Sequence, residues 1–146
     1  SSDPKWAEAT PGVEWLPEKT YAASGQENPT YQKAMSFAIR IVNVYKYLIE
    51  EKSERVMSKQ LLRSGTSIGA NFCESLSAES ELDFIHKLAI SQKEANETLF
   101  WLELLNKTDY LSDKQYESLE SDCSELRKII TSIILTTKQK GKNHKS

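Results

Sequence analysis

The stretch Gln60-Leu-Leu-Arg-Ser-Gly-Thr-Ser-Ile-Gly-Ala-Asn71 constrains the fold more than any other part of the chain. It holds two of the five glycines, Gly65 and Gly69, in a segment whose apolar residues otherwise recur at helical spacing. A glycine inside a helix costs about 1 kcal/mol relative to alanine, so a compensating gain is expected. The usual gain is the close approach of a second helix, which the small residues Gly65, Gly69 and Ala70 would permit. The alternative is a loop between two short helices, but no proline or Asn-Gly pair marks a turn here.

Length and cysteine content indicate one intracellular domain. The chain has 146 residues, and its two cysteines, Cys73 and Cys123, lack the spacing of a metal site or a disulfide framework. We therefore expect two reduced thiols and a cytoplasmic protein. No apolar run is long enough to cross a bilayer and no signal peptide is visible, so no membrane partner is expected.

The net charge of −2 is unevenly distributed along the chain. Residues 1–29 carry five acidic and two basic side chains, whereas residues 138–146 carry four lysines and no acid. The sequence pI is about 5.8. A strong nucleic-acid-binding domain usually has a pI above about 9, so composition alone does not favour that function.

Residues 1–28 are predicted to form an extended arm that is distinct from the rest of the chain. All four prolines lie within residues 1–29, and they leave no helical periodicity there. The arm is nevertheless too apolar for an ordinary solvated tail. Its expected anchors are Trp6, Trp15, Leu16 and Tyr21. They predict docking in a protein groove, on this bundle, on a neighbouring subunit or on a separate partner. The alternative is a tag or fused peptide with no native role.

The remainder predicts an all-α fold, an antiparallel up-down-up-down four-helix bundle with the extended N-terminal arm. Apolar residues at three- and four-residue steps place the helices near 29–50, 57–78, 81–106 and 113–138. The predicted bundle domain is 29–138, followed by a basic disordered tail at 139–146. The helix starts are marked by Asn28-Pro29, by Ser53 or Ser58, and by the capping boxes Ser80–Asp83 and Ser112–Gln115.

Apolar residues outside the main stripe of the fourth helix predict self-association. Ile129, Ile134 and Leu135 lie off the seam that the other apolar residues define. Together with the small-residue face of the second helix, they favour a symmetric homo-oligomer that covers this surface.

The central stretch is also part of a longer pattern. Ser58-Lys-Gln60 leads into it, and Glu74, Asp83-Phe-Ile-His-Lys-Leu-Ala-Ile90, Lys93-Glu-Ala-Asn-Glu97 and Trp101-Leu102 follow. In order and spacing, residues 32–136 resemble a bacterial four-helix-bundle family that is often encoded inside intervening sequences of large-subunit ribosomal RNA genes. The resemblance implies an up-down bundle that assembles into a pentameric ring. It also implies a shape similar to the accessory protein of diversity-generating retroelements, which binds a reverse transcriptase and nucleic acid. Nothing carries over to the arm.

No catalytic constellation is visible, so no enzyme activity, cofactor or metal is expected. Asp83, His86 and Ser91 lie on one predicted helix, and a triad needs groups that converge from separate elements. The polar residues of the central pattern have two interpretations. One is an interhelical network in which a carboxylate faces Arg63 and Asn71 sets the helix register. The other is a basic ligand surface, repeated around a ring, formed by Lys59, Arg63, Lys87 and Lys93.

Two functional hypotheses follow. The first is a non-enzymatic, nucleic-acid-associated accessory protein that acts as an oligomeric ring on RNA or DNA, which the resemblance favours. The second is a protein-interaction scaffold whose ring displays or receives peptide arms, which the charge favours.

Overall fold

Four helices account for most of the chain that the computed structural model describes, which is residues 27–144, with side chains for 27–143. They are α1 (Pro29–Glu50), α2 (Met57–Ser75), α3 (Glu81–Lys107) and α4 (Asp113–His144). Residues 27–144 contain no strand. Each helix packs on the next, and α1 also contacts α4, which closes the bundle. The predicted all-α four-helix bundle is confirmed. The arm lies outside the described residues, apart from Glu27 and Asn28 where it joins α1.

Three of the four helix starts carry the capping side chains that the sequence predicted. The Asn28 carboxamide oxygen accepts from the backbone N–H groups of Thr30 and Tyr31, at 2.8 and 3.2 Å. The Ser80 hydroxyl accepts from the Asp83 N–H at 3.0 Å. Ser112 and Gln115 form a reciprocal capping box, since each side chain accepts from the backbone N–H of the other residue.

The start of α2 is built differently from the prediction. Neither Ser53 nor Ser58 caps it. The buried carboxylate of Glu54 accepts from the N–H groups of Val56, Met57 and Ser58, at 3.1, 3.2 and 2.7 Å. The longer glutamate side chain reaches three donors of the first turn, and its negative charge is favourable at a helix N-terminus.

Two helix ends also differ from the prediction. α2 ends at Ser75, three residues before 78, because residues 76–78 bond to carbonyls only three residues back and tighten the last turn. α4 runs to His144, so the predicted disorder from 139 onward is wrong for residues 139–144. Lysine and glutamine are good helix formers, and lysines near a helix C-terminus interact favourably with its dipole.

The central stretch is an unbroken part of α2, and its small residues face two neighbours in the same chain. A Cβ atom added at Gly65 would lie 2.9 Å from the side chain of Ile41 in α1, and one at Gly69 would lie 3.4 Å from the Ala34 Cβ. On the other side, the Thr98 hydroxyl donates to that of Ser64 at 3.0 Å. The glycines therefore accommodate α1, which makes a subunit interface unnecessary to explain them.

The bundle core contains one charged side chain that the sequence interpretation did not identify. Arg40 of α1 is 0% exposed. Its guanidinium donates to Asp122 at 2.5 Å, to the Ser118 hydroxyl at 2.8 Å and to the Ser118 carbonyl at 3.5 Å. Both acceptor residues belong to α4, so this group joins the first helix to the last.

The two glycines provide a matched test of helix contact. Alanine at position 65 must displace Ile41, and overpacking typically costs about 1–3 kcal/mol, more than the gain of up to about 1 kcal/mol in helix propensity. Alanine at position 69 meets only ordinary contact. We expect Gly65→Ala to lower the free energy of unfolding in urea and Gly69→Ala to raise it. Leucine at either position should destabilise. A Gly65→Ala variant as stable as Gly69→Ala would contradict close packing of α2 on Ile41.

The Arg40 cluster gives a second prediction. Asp122→Ala leaves the buried guanidinium without its charged partner and should cost about 2–3 kcal/mol, as for a hydrogen bond to a charged group. Arg40→Met should cost less, since a buried ion pair replaced by an apolar side chain is often close to neutral. The control is Glu125→Ala, which removes only the exposed Lys33–Glu125 pair and should cost under about 1 kcal/mol. Equal losses for Asp122→Ala and Glu125→Ala in urea unfolding would refute the role of Arg40.

Candidate functional site

The outer face between α2 and α3 carries a cluster of charged and aromatic side chains. Arg63 of α2 donates through Nη1 to the Glu94 carboxylate at 3.0 Å and through Nη2 to Glu97 at 2.5 Å. The Trp101 indole N–H donates to the same Glu97 oxygen at 3.0 Å. The Phe100 ring meets Trp101 edge to face, with ring centroids 5.0 Å apart. We name these five residues the α2–α3 cluster.

The charges of this cluster depend on one another. Hydrogen bonds to Glu97 and Glu94 raise the pKa of Arg63 above its usual value. Hydrogen bonds from Trp101 and then from Arg63 lower the pKa of Glu97. One cation thus faces two carboxylates, and the cluster as a whole is mildly acidic.

The structure does not assemble the four predicted ligand cations into one basic patch. Arg63 is engaged by two carboxylates, and Lys87 pairs with Glu74 at 3.0 Å, which raises the pKa of that lysine. Lys59 and Lys93 are exposed and form no ion pair within residues 27–143. Lys59 and the Lys87–Glu74 pair are roughly 22 Å apart along α2, at 1.5 Å per residue.

The predicted packing and interface residues have different environments. Ala70 is exposed, and the Asn71 side chain donates to the Ser67 carbonyl in its own helix at 2.8 Å, so it does not bridge helices. Ile129 is half-buried. Ile134 is 7% exposed and belongs to the core of the single chain, so it does not supply surface for self-association. Leu135 is 62% exposed, so its side chain is accessible on the surface of the chain.

The serine and the histidine that were considered for catalysis, and the two cysteines, lie in different environments. The Ser91 hydroxyl is buried and donates to the Ile68 carbonyl at 2.7 Å, while His86 is exposed. Cys73 and Cys123 are free thiols, and burial raises the pKa of Cys123 to about 12, which disfavours the thiolate. Residues 27–143 hold no group of His, Cys, Asp and Glu suited to a metal ion. None of the described helices is long and apolar enough to span a bilayer.

Two features were missed from the sequence, and each had a signal. Phe100 is 56% exposed although its neighbours Leu99 and Trp101 pack on the core. Its position in α3, one residue away from the buried stripe, is the sequence signal for this exposure. Arg40 lies three residues after buried Phe37 and four before buried Val44, which marks a cation on an apolar face. The arm anchors Trp6, Trp15, Leu16 and Tyr21 lie outside the described residues.

The helix order, the short connections and the contact of α1 with α4 define a closed four-helix bundle. A family model for the 23S rRNA-intervening sequence protein matches residues 26–132, and the chain belongs to that family. A crystal structure from Bacteroides thetaiotaomicron is similar in sequence and fold. It is of a protein of unknown function from the S23 ribosomal protein family, and it is 56% identical with a TM-score of 0.72. The match covers 72% of this chain and 97% of that one. No curated protein matches the chain.

The shared carboxylate of Glu97 leads to a pH-dependent prediction. Its pKa is lowered in the folded state, so its stabilisation is present above the unfolded pKa of about 4.3 and is lost as pH falls through the folded value. At pH 7 we expect Glu97→Gln to lower the free energy of unfolding by under about 1 kcal/mol, because the pair is partly exposed. Below a pH of about 4 the difference between wild type and variant should shrink.

The control for this prediction is Glu103→Gln. Glu103 is exposed and lies 3.9 Å from Lys107 in its own helix. Its variant should show little effect at either pH in urea unfolding. A Glu97→Gln difference that grows on acidification would contradict a lowered pKa for Glu97 in the folded protein.

Proposed function

We propose that this protein is a non-enzymatic, self-associating helical bundle that acts as a protein-interaction scaffold. The observation that carries this proposal is the α2–α3 cluster, where an exposed phenylalanine and a half-buried tryptophan lie beside a paired arginine. Aromatic residues and arginine are enriched at protein interfaces and dominate their binding energy. The paired charges border this aromatic pair at Trp101, through the carboxylate of Glu97.

Charge also supports a protein partner over a phosphate backbone. Two of the four candidate cations are already neutralised by carboxylates of the same chain. A phosphate contact at Arg63 or Lys87 would have to displace those partners, so the net gain is small. The proposed assembly is a cyclic homo-oligomer, and the family resemblance favours a pentamer. Exposed Phe100 supports association without specifying the subunit number.

A nucleic-acid-associated accessory role is the second candidate. It is supported by membership of a family described by its 23S rRNA intervening sequence, and by the lysines near the end of α4. The acidic pI argues against it. A cytoplasmic location, suggested by the reduced cysteines and the link to rRNA genes, stays a prediction.

Native mass and a salt titration test the two roles. We expect light scattering at micromolar concentration to give a multiple of the 16.6 kDa chain mass. Phe100→Glu should reduce that mass, because a charge in an aromatic interface is costly to desolvate. The control Val56→Glu changes another exposed apolar residue, which directly precedes α2 and does not belong to the α2–α3 cluster. It should leave the mass unchanged.

The same samples are then titrated with single-stranded and duplex RNA at several salt concentrations. For a scaffold we expect weak binding and a shallow dependence on salt. Several phosphate contacts would give a slope of about −0.7 to −0.9 per contact on a log–log plot, and that result would favour the second candidate. A monomeric mass would refute the self-association on which the scaffold depends.

A further inference from the structure

The last helix extends well beyond the start of the first. α1 and α4 run antiparallel, as the pairs Arg40–Ser118 and Lys33–Glu125 show. Pro29 is four residues before Lys33, and residue 129 is four residues after Glu125. The antiparallel register therefore places Pro29 beside residue 129 of α4. From there α4 continues to His144, roughly four turns at 3.6 residues per turn. The face of α4 that α1 covers at Ser118 has no counterpart from α1 along those turns.

Exposed apolar side chains concentrate at this end of the bundle. Contacts of Gly69 with Ala34 and of Gly141 with Glu81 bring the start of α1, the end of α2, the start of α3 and the last turns of α4 to the same end. Leu76, Leu82 and Leu135 lie there, with exposed fractions of 38%, 81% and 62%. They are three of the five large hydrophobic residues that are exposed in the described part of the chain. We name this region, together with the lysines of residues 138–142, the open end.

The charge of the open end is complementary to that of the N-terminal arm. Residues 133–146 contain four lysines and no acid. Residues 1–26 contain four acids and two lysines, and Glu14 and Glu18 flank the apolar Trp15-Leu16 pair. An acidic segment with aromatic anchors matches a surface of leucines bordered by lysines.

The arm is attached at the open end and is long enough to cover it. It joins α1 at Asn28, at the end of the bundle where α2 finishes, since the start of α1 packs on the second half of α2. Tyr21 is eight residues before Pro29, and an extended chain of that length spans up to about 28 Å. The turns of α4 beyond residue 129 measure about 22 Å. The anchors Tyr21, Leu16 and Trp15 can therefore all reach the exposed leucines.

The family match leaves the same two segments outside the shared bundle. It begins at residue 26 and ends at 132, so it includes neither the arm nor the last turns of α4. The similar crystal structure is matched over 97% of its own length but only 72% of this chain. Residues 1–25 and the last turns of α4 thus both lie outside the segment that the family model matches.

We propose that residues 1–26 dock on the open end of their own chain. Trp15, Leu16 and Tyr21 cover the exposed leucines, and the acidic residues of the arm pair with Lys138, Lys140 and Lys142. The docking is independent of the scaffold role and of any nucleic-acid binding.

Zero-length carbodiimide cross-linking of the unmodified protein tests the position of the arm. The reagent joins a carboxylate to an amine that it contacts, so arm acids should couple to lysines of residues 138–142. We expect these peptides by mass spectrometry in the single-chain band of a denaturing gel. Arm–lysine peptides found only in a two-chain band would show exchange between copies and overturn docking on the same chain. No such peptides in either band would overturn the proposal as a whole.

Tryptophan fluorescence tests whether the tryptophans of the arm are buried, and which residues of the open end bury them. In a Trp101→Phe background only Trp6 and Trp15 emit, and we expect blue-shifted emission with several-fold protection from acrylamide relative to the urea-unfolded chain. The triple reversal Lys138→Glu/Lys140→Glu/Lys142→Glu, or Leu135→Ser, should shift the emission to the red and remove the protection. The matched controls are Lys46→Glu/Lys52→Glu/Lys107→Glu and Val56→Ser at the opposite end, which should leave both unchanged.

Each variant must keep the circular dichroism melting curve of a folded bundle for the comparison to count, and Leu135→Ser serves if the triple reversal unfolds. Water-exposed emission in the Trp101→Phe chain would overturn the proposal. Emission that responds equally to variants at both ends would overturn it as well, because the arm would then have no specific site.

Discussion

The buried guanidinium of Arg40 is the interaction on which closure of the bundle depends. α1 and α4 are the first and last helices, and they contact each other less extensively than α1 contacts α2. A cation that is 0% exposed must keep its acceptors, and here they include Ser118 and Asp122 on α4. A shift of α4 by even one residue would move both of these acceptors away from a buried charge, which is costly. Arg40 thereby sets the register of α1 against α4, and that register determines how far α4 extends past Pro29.

The small residues of α2 determine the other helix contacts. Gly65 and Gly69 let α1 approach on one side, while Ser64 meets Thr98 and the Ile68 carbonyl meets Ser91 on the other. Buried hydroxyls in these positions satisfy themselves with backbone or one another, so close contact does not leave unpaired polar groups. The cost of two glycines in a helix is offset within the chain, which removes one of the two reasons for expecting self-association from the sequence.

The surface that results is characterised by paired charges more than by net charge. Two of the four cations that looked available for phosphates in the sequence, Arg63 and Lys87, are held by Glu94, Glu97 and Glu74 across the α2–α3 contact. The exposed apolar residues include an aromatic edge at Phe100 and a group of leucines at the open end. Both features are apolar centres with charged borders, the composition that protein partners recognise. Membership of the 23S rRNA-intervening sequence protein family is consistent with the bundle itself and does not decide between these partners.

The sequence by itself determined the helices, most of their starts and the class of fold. These depend on interactions between residues a few positions apart, such as the Asn28 cap and the Ser112–Gln115 box, and on apolar periodicity that any core requires. The pattern also indicated close helix contact at the glycines, but it did not identify α1 as the neighbour. Local signals failed where a longer side chain replaced the expected cap, at Glu54, and where lysine propensity carried α4 beyond 138.

Only the tertiary structure decided which charges are free and which apolar residues are covered. Arg63 and Glu97 are 34 residues apart in sequence, and Arg40 and Asp122 are 82 apart. The sequence prediction places Ile134, which is buried, together with Leu135, which is exposed, outside the seam of α4, because the rotation of α4 against α3 and α1 decides which side of the seam is covered. Pairing and burial follow from the register and rotation of whole helices, and these are set by the sum of contacts across the bundle.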